Sequence, residues 1–207
     1  MVFLRKLSTA FLFFILFSQA GITQTQEALI SAFSKSYKAE ADGDYAKATE
    51  VIKRVFNKDS YEINLRLGWL NYKAGLFEEA EGYYRRAIQI MPYGIEARFG
   101  IVFPLTTMGK TDQVILVYEE LLKIDPQNSL ANFRLGLVYY GQGNYAQSEK
   151  YFTKVVNLYP FDYDGLQMLA WTKLKAGKTQ DAKAVFNKAL LYKPGDPLCL
   201  EGLSLIK

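Results

Sequence analysis

Residues 61–94 read YEINLRLGWLNYKAGLFEEAEGYYRRAIQIMPYG, and the same plan returns three more times before residue 197. The glycine at Gly75 and the proline at Pro92 both recur every 34 residues. The later copies are Gly109, Gly143 and Gly177 for the glycine, and Pro126, Pro160 and Pro194 for the proline. A fixed period of this length indicates one supersecondary unit repeated along the chain. Such an architecture favours an extended surface for binding another protein over a single buried active site.

Each copy of the repeat predicts two amphipathic helices joined by a short turn. Over 61–94 the first set of apolar or small residues at helical spacing is Leu65, Gly68, Trp69 and Tyr72, and the second is Ala80, Tyr83, Tyr84, Ala87, Ile88 and Ile90. Gly75 has the position of a helix-ending glycine, and Pro92 ends the second helix. The four copies run without gaps from Tyr61 to Asp196.

The unit resembles the tetratricopeptide repeat. The resemblance rests on Leu67-Gly68 and Leu135-Gly136, on the small or apolar residues Ala80, Val114, Ser148 and Ala182, on the aromatics Tyr84, Tyr118, Phe152 and Phe186, and on the closing prolines. It implies an all-α fold, a right-handed superhelical solenoid of antiparallel helix pairs. In such a fold small residues let two helices cross closely, and an aromatic side chain fills the volume beyond.

A weaker copy precedes the four regular ones. Residues 43–48, GDYAKA, match residues 143–148, GNYAQS, although the closing proline is absent and the connection is two residues shorter. Its first helix is predicted from about Glu27 to Ala41 with Ala32, Phe33 and Tyr37 facing inward, and its second continues through Val55. The predicted solenoid therefore covers 27–207, with repeats at about 27–60, 61–94, 95–128, 129–162 and 163–196 and a closing helix at 197–207.

The first twenty residues have the three-part layout of a secretory signal peptide. Arg5 and Lys6 precede the apolar run of residues 10–17, and Ser18-Gln19-Ala20 supplies the small residues of a cleavage site. The run is well short of the ~20 residues that span a bilayer. We therefore expect export to the periplasm or another extracytoplasmic space, with no stable membrane span after cleavage. An uncleaved N-terminal anchor is the alternative.

In proteins of this family the first helices of successive repeats line a concave face. The corresponding residues here predict an aromatic groove for a protein partner, formed by Leu65, Trp69, Tyr72, Phe99, Phe103, Phe133, Leu137, Tyr140 and Trp171. Lys73 and Lys175 stand at its edge, and Arg66 and Arg134 lie near it. The alternative is that part of this stripe only stiffens the array by ordinary packing. Exposed apolar patches rimmed by polar residues usually mark binding sites.

One groove chemistry of the family is not expected here. Its chaperone-binding members hold a C-terminal carboxylate with a clamp of lysines and asparagines. Leu65, Trp69, Phe99 and Phe103 occupy positions where that clamp needs Lys and Asn. The resemblance therefore implies protein binding without implying a carboxylate ligand.

Composition argues against catalysis, metal binding and nucleic acid binding. The chain has no histidine and a single cysteine, which removes the commonest general base and any thiolate metal cluster. No phosphate-binding GxxxxGK[ST] loop is present. The net charge is +4, and without residues 1–20 it is +2 from 23 basic and 21 acidic residues. We expect a non-enzymatic chain with no cofactor, no metal and no nucleic acid partner.

The C-terminal end and one internal proline leave alternatives open. Asp196-Pro197 predicts a cap and first turn for a short closing helix that carries Leu198, Leu200, Leu203 and Ile206. These side chains pack on the last repeat or contact a second copy or a partner. Cys199 is a buried apolar residue or an intermolecular thiol. Pro104 lies inside a predicted first helix, where it marks a tolerated kink or a hinge.

The sequence as a whole predicts a protein-binding scaffold of the cell envelope. Two other functions remain open, namely a structural protein that self-assembles through its C-terminal helix, and a carrier of an apolar ligand. Concentration-dependent association would identify the first, and a co-purifying lipid the second.

Overall fold

The computed structural model describes residues 26–206, and every regular element in that range is an α-helix. The helices are α1 (26–41), α2 (Tyr45–Lys53), α3 (Tyr61–Lys73), α4 (Phe77–Ile90), α5 (Glu96–Thr107), α6 (Thr111–Ile124), α7 (Ser129–Gly141), α8 (Tyr145–Leu158), α9 (Tyr163–Lys175), α10 (Thr179–Tyr192) and α11 (Pro197–Ser204). The predicted signal peptide, residues 1–20, lies outside this range. No helix within 26–206 is long and apolar enough to cross a membrane.

The chain forms two compact bodies. The N-terminal body ends at Pro104, and the C-terminal body begins at Leu105. In the N-terminal body α3 packs against α2 and α4, and in the C-terminal body each helix from α6 to α11 packs against the next. Three-residue turns join α3 to α4, α7 to α8 and α9 to α10, so that each of these pairs is antiparallel. This confirms the predicted all-α fold of helix pairs.

The recurring glycines end the first helix of each pair in the way that their spacing predicts. Gly75 has a φ of 81°, a backbone region that side-chain-bearing residues rarely adopt. Its N–H donates to the carbonyl of Tyr72 at 3.0 Å, and the N–H of Leu76 donates to the carbonyl of Asn71 at 2.9 Å. These two bonds satisfy carbonyl groups that the end of α3 would otherwise leave unpaired.

Aromatic rings fill the helix crossings. Tyr84 of α4 is 2% exposed, and a Cβ added at Gly68 would lie 2.9 Å from its ring. A Cβ at Gly100 would lie 2.2 Å from the same ring. Phe186 has the corresponding place in the C-terminal body, where a Cβ at Gly202 would lie 2.2 Å from its ring. The glycines therefore admit the rings, and the packing predicted for Gly68 is confirmed.

Buried asparagines fasten two of the first helices to the loops before them. The side-chain amide of Asn64 donates to the carbonyl of Ser60 at 2.6 Å and to that of Lys58 at 2.9 Å. Asn132, two periods later, donates to the carbonyls of Asn128 at 2.9 Å and Pro126 at 3.2 Å. Both asparagines are fully buried. Their spacing of 68 residues makes this a repeated polar anchor.

The weak first repeat departs from its prediction in two places. Tyr37 was predicted to face inward, but its side chain is 56% exposed. Ser36 is the buried residue on that turn of α1, because it lies beside the guanidinium of Arg66. The second helix ends at Lys53, so that Val55 lies beyond it.

The closing helix α11 begins as its sequence predicts. The Asp196 side chain accepts a hydrogen bond from the Cys199 N–H at 3.0 Å. Cys199 is fully buried, which agrees with the first of its two alternatives, a small apolar residue of the core. Leu203 and Ile206 pack against the core of the C-terminal body, whereas Leu198, Leu200 and Leu205 are about half exposed.

Pro104 also lies where the sequence places it. It is buried inside α5, which continues to Thr107.

Candidate partner-binding surface

A cavity of about 570 Å³ opens on the N-terminal body. We call it the aromatic cavity, and its lining residues are Phe33, Tyr37, Tyr61, Glu62, Leu65, Arg66, Trp69, Met91 and Glu96. α1 supplies Phe33 and Tyr37, and α3 supplies most of the others, because residues three or four apart share one helix face. Two of the predicted groove residues, Leu65 and Trp69, line it.

A polar network supports one wall of the aromatic cavity. Arg66 is only 7% exposed, forms an ion pair with Glu40, and donates to the Ser36 hydroxyl at 3.0 and 3.2 Å. The guanidinium also lies 4.0 Å from the centroid of the Tyr37 ring. The Trp69 indole donates to the second oxygen of Glu40 at 2.5 Å. The network therefore fixes the orientation of the Trp69 indole through its hydrogen bond to Glu40.

The charge of Glu40 is stabilised by this network. Burial alone would raise its pKa, but hydrogen bonds from Trp69 and Arg66 and the positive charges of Arg66 and Lys73 outweigh burial. The net result is a pKa below the usual value for a glutamate. Elsewhere in the lining, burial raises the pKa of Tyr61, and the carboxylate of Glu96, which accepts its hydroxyl hydrogen bond at 3.2 Å, adds to this effect.

A second aromatic group extends from Trp69 along the first helices. We call Trp69, Tyr72 and Phe103 the aromatic cluster. Its ring centroids lie 5.9 Å apart for Trp69 and Tyr72, 6.1 Å for Trp69 and Phe103, and 5.4 Å for Tyr72 and Phe103. The Phe103 side chain is 47% exposed, and the other two are half-buried. Lys73 lies at the edge of the cluster, with its Nζ 5.6 Å from the centroid of the Trp69 ring.

The C-terminal body has a smaller cavity of about 280 Å³. We call it the second cavity, and its lining residues are Ser129, Leu130, Phe133, Val155, Tyr159, Asp162 and Asp164. Of the predicted groove residues, Phe133 lines it. The Asp162 carboxylate accepts a hydrogen bond from the Gly165 N–H at 2.7 Å, so that it caps α9, as expected for an aspartate in that turn.

Three predicted groove residues of the C-terminal body contact the second helix of their own pair. Phe133 lies 5.5 Å from Phe152, Tyr140 5.6 Å from Tyr145, and Trp171 5.5 Å from Phe186, each between ring centroids. Trp171 also flanks the core cluster of this body. These contacts agree with the alternative of ordinary packing. Phe99 and Leu137 are half-buried.

Several residues of the aromatic cavity escaped the sequence analysis. Glu62 and Glu96 carry the acidic groups of its lining, and Met91 comes from the loop after α4. Glu40 is not part of the lining but accepts the hydrogen bond of the Trp69 indole. The sequence offered one signal, because Arg66 had been placed near the groove and a buried arginine needs an acidic partner. Nothing in the 34-residue pattern identified Glu40 as that partner, because Glu40 belongs to the irregular first repeat.

Within residues 26–206, no group of three or more acidic or cysteine side chains is placed to hold a metal ion. The aromatic cavity combines large apolar side chains with a few oriented polar groups, which is the usual make-up of a ligand or peptide site.

Sequence comparisons match this chain to repeat proteins. Models of the tetratricopeptide repeat match residues 33–95, 129–162 and 163–196, which together make up more than half of the chain. The TPR repeat-containing protein YpiA of Bacillus subtilis (strain 168) is 24% identical over 184 residues, covering 87% of this chain and 43% of YpiA. The chain spans less than half the length of the curated relatives it matches.

Solved structures show the same fold. A tetratricopeptide repeat protein from Parabacteroides merdae ATCC 43184 superposes with a TM-score of 0.74 at 23% identity, covering 87% of this chain and 72% of that one. YrrB, described as a TPR protein with an unusual peptide-binding site, superposes with a TM-score of 0.69 at 13% identity, covering 90% and 97%. At these identities the likeness concerns the fold alone.

Proposed function

Because this chain belongs to the tetratricopeptide repeat family, we propose that it is a non-enzymatic scaffold that binds a segment of a partner protein. The partly exposed aromatic side chains on the first helix of each repeat form the binding surface. The aromatic cavity carries this proposal, because four aromatic residues surround a space that no other part of the described chain fills. A peptide-binding site is part of the description of YrrB, which has the same fold. Peptide binding by this chain is an inference from that likeness and from the cavity.

The proposal includes the five repeats at 27–60, 61–94, 95–128, 129–162 and 163–196, and the nine predicted groove residues. In the N-terminal body the aromatic cavity and the aromatic cluster support it. In the C-terminal body the second cavity supports the part played by Phe133. One continuous concave groove remains a prediction.

A crosslinked pull-down from native envelopes tests the proposal. The bait is the full chain, and the test variant carries Trp69→Ala, Phe103→Ala and Trp171→Ala. A control variant changes three exposed apolar residues outside the predicted groove, with Tyr93→Ala, Leu116→Ala and Leu191→Ala. We expect a partner that the wild type and the control capture and the test variant loses, while circular dichroism stays helical. Equal capture by all three would refute the groove.

The cellular location is a separate part of the proposal. The N-terminal layout of residues 1–20 supports export to the periplasm or another extracytoplasmic space. Fractionation of native cells followed by N-terminal sequencing tests it. A mature chain that begins at Gly21 outside the cytoplasm is expected, and an intact Met1 would leave the anchor as the alternative.

Two other functions have an observation in their favour. The exposed Leu198, Leu200 and Leu205 favour self-assembly through α11, which concentration-dependent sedimentation would detect. The volume of the aromatic cavity lies in the range of about 300–1,000 Å³ that is usual for small-ligand sites, which favours an apolar ligand. Native mass spectrometry of the purified chain would detect a bound lipid.

A further inference from the structure

We propose that the aromatic cavity takes up a cationic side chain, lysine or arginine, from an otherwise apolar partner segment. This inference rests on the proposed function and names the chemistry that the partner must carry. It depends on two features of the cavity wall, namely two glutamates without a basic partner and four aromatic rings.

The exposed charges in the lining are acidic. Glu62 and Glu96 are both exposed, and neither forms an ion pair with another described residue. Their contacts are with hydroxyl groups, since Glu62 accepts from Ser60 at 2.9 Å and Glu96 accepts from Tyr61 at 3.2 Å. A hydroxyl partner leaves the negative charge of a carboxylate uncompensated. A cation entering the cavity would therefore meet two available counter-charges.

The basic groups near the cavity do not cancel these two glutamates. Arg66 lines the cavity, but it is 7% exposed and its charge is matched by Glu40. Lys73 lies outside the lining, over the rings of Tyr45 and Trp69. The acidic groups in and beside the cavity outnumber the basic ones by three to two: the acidic ones are Glu40, Glu62 and Glu96, and the basic ones are Arg66 and Lys73. The charges that a ligand can reach from the opening are those of Glu62 and Glu96.

The aromatic rings add a second attraction for cations. Phe33, Tyr37, Tyr61 and Trp69 line the cavity, and the face of an aromatic ring attracts a positive charge. Rings of this cavity already contact cations of the chain itself, since Arg66 lies 4.0 Å from the Tyr37 centroid and Lys73 lies 5.6 Å from that of Trp69. The apolar side chains of Leu65 and Met91 suit the aliphatic part of a lysine or arginine and its apolar neighbours.

The second cavity provides an internal comparison. Two periods after Glu62 stands Leu130, so one of the two acidic groups is missing there. Asp162 uses its carboxylate to cap α9, which leaves Asp164 alone at the position equivalent to Glu96. The cation preference should therefore belong to the N-terminal body alone.

Peptide binding to the full chain tests the proposal. The probes are three nine-residue peptides of alanine and leucine with a neutral dye and a central lysine, norleucine or glutamate. We expect the lysine peptide to bind roughly tenfold more tightly than the norleucine peptide, as one partly desolvated cation–π contact and two exposed ion pairs would give. The glutamate peptide should bind most weakly, and the preference should shrink as salt is added. Fluorescence anisotropy at low and high ionic strength measures all three affinities.

Paired variants locate the effect. A Glu62→Gln and Glu96→Gln double variant should lose the lysine preference, so that its affinities for the lysine and norleucine peptides become equal. Asp164→Asn is the matched control, because it makes the equivalent change in the second cavity. A Glu78→Gln and Glu79→Gln double variant removes two exposed glutamates from the first turn of α4, outside the cavity. Both controls should keep the preference, and circular dichroism should show every variant folded.

Each other outcome overturns the inference. If all three peptides bind equally and Trp69→Leu weakens them all, the proposed peptide function stands and the charge preference is wrong. If the glutamate peptide binds best, Arg66 is the charge that the ligand meets. If the preference survives in the Glu62→Gln and Glu96→Gln variant, or no peptide binds, the cavity is not the site. Self-association that Trp69→Leu abolishes, with no lysine peptide bound, would assign the cavity to a second copy of the chain.

Discussion

The two bodies each have a cavity at the same place in the repeat, yet the two cavities differ in size and in chemistry. Three lining residues of the second cavity stand two periods, or 68 residues, after lining residues of the aromatic cavity. The pairs are Tyr61 with Ser129, Leu65 with Phe133, and Glu96 with Asp164. The aromatic cavity has a volume of about 570 Å³ and the second about 280 Å³. The repeat therefore places a cavity at this position, and the side chains that vary between repeats determine its properties.

The difference comes from a few substitutions at equivalent positions. Trp69 is replaced by Leu137, which has no indole to extend the wall. Arg66 is buried against Glu40, whereas Arg134 two periods later is exposed. Aligned on the recurring glycines, Thr106 stands where Glu40 stands in the first repeat, so that Arg134 has no carboxylate at that position. An acidic residue on α1 thus decides how the wall of the aromatic cavity is built.

The largest effect should come from the feature that the two bodies share. Tyr84→Ala and Phe186→Ala each remove a buried ring from a helix crossing, and we expect each to lower the free energy of unfolding by about 3–5 kcal/mol. Chemical denaturation followed by circular dichroism measures both. A loss below about 1 kcal/mol in one body would mean that the two crossings do not obey the same packing rule.

A smaller effect should follow from the glycines that face these rings. Gly100→Ala and Gly202→Ala each place a Cβ 2.2 Å from a ring atom, which should cost about 1–3 kcal/mol. Gly82→Ala is the matched control, because nothing lies within 4 Å of its added Cβ. Since alanine is the better helix former, Gly82→Ala should stabilise the chain by up to about 1 kcal/mol. Equal changes in melting temperature in all three variants would contradict the close approach of Gly100 and Gly202 to the aromatic rings.

The difference between the cavities is tested by exchanging equivalent residues. Trp69→Leu gives the aromatic cavity the residue of the second cavity's repeat, and we expect a loss of about 2 kcal/mol in affinity for the lysine peptide, as for a binding hot spot. The reciprocal Leu137→Trp should add no comparable affinity, because Glu40 and Glu62 have no counterpart there. A gain in binding from Leu137→Trp would show that the tryptophan alone defines the site.

The smallest effect concerns Asp196, the one buried carboxylate among residues 26–206, which lies in the C-terminal body. Asp196 is 4% exposed, and hydrogen bonds from Tyr163 and the Cys199 N–H, with the charge of Lys193, outweigh burial and lower its pKa. A lowered pKa stabilises the fold above the ordinary aspartate value of 3.8, and the contribution disappears as the pH falls through the folded-state pKa.

Asp196→Ala should therefore cost about 0.5–2 kcal/mol at neutral pH, as for other helix caps, and less below about pH 3. Urea denaturation across this pH range measures the difference from the wild type. Asp196→Asn keeps a capping side chain without the charge, so its cost at neutral pH should be smaller. A cost that does not change with pH would assign the effect to packing.

The sequence by itself determined the architecture, because the spacing of the repeats can be read directly from a single chain. The 34-residue period, the helix-ending glycines and the buried aromatics at Tyr84 and Phe186 all follow from side-chain size and backbone preference at regular intervals. The cap at Asp196 follows from the sequence in the same way, whereas the structure decided between the two alternatives for Cys199 by burying it.

Only the tertiary structure decided which aromatic residues enclose a cavity. The pattern treated Trp69 and Trp171 alike, but Trp69 is held by Glu40 beside an open space, whereas Trp171 packs on Phe186. Tyr37 was assigned to the core by its spacing, yet it is exposed because Ser36 accepts the buried contact with Arg66. Periodicity tells which face of a helix is apolar, but contacts between residues some thirty positions apart determine what that face encloses.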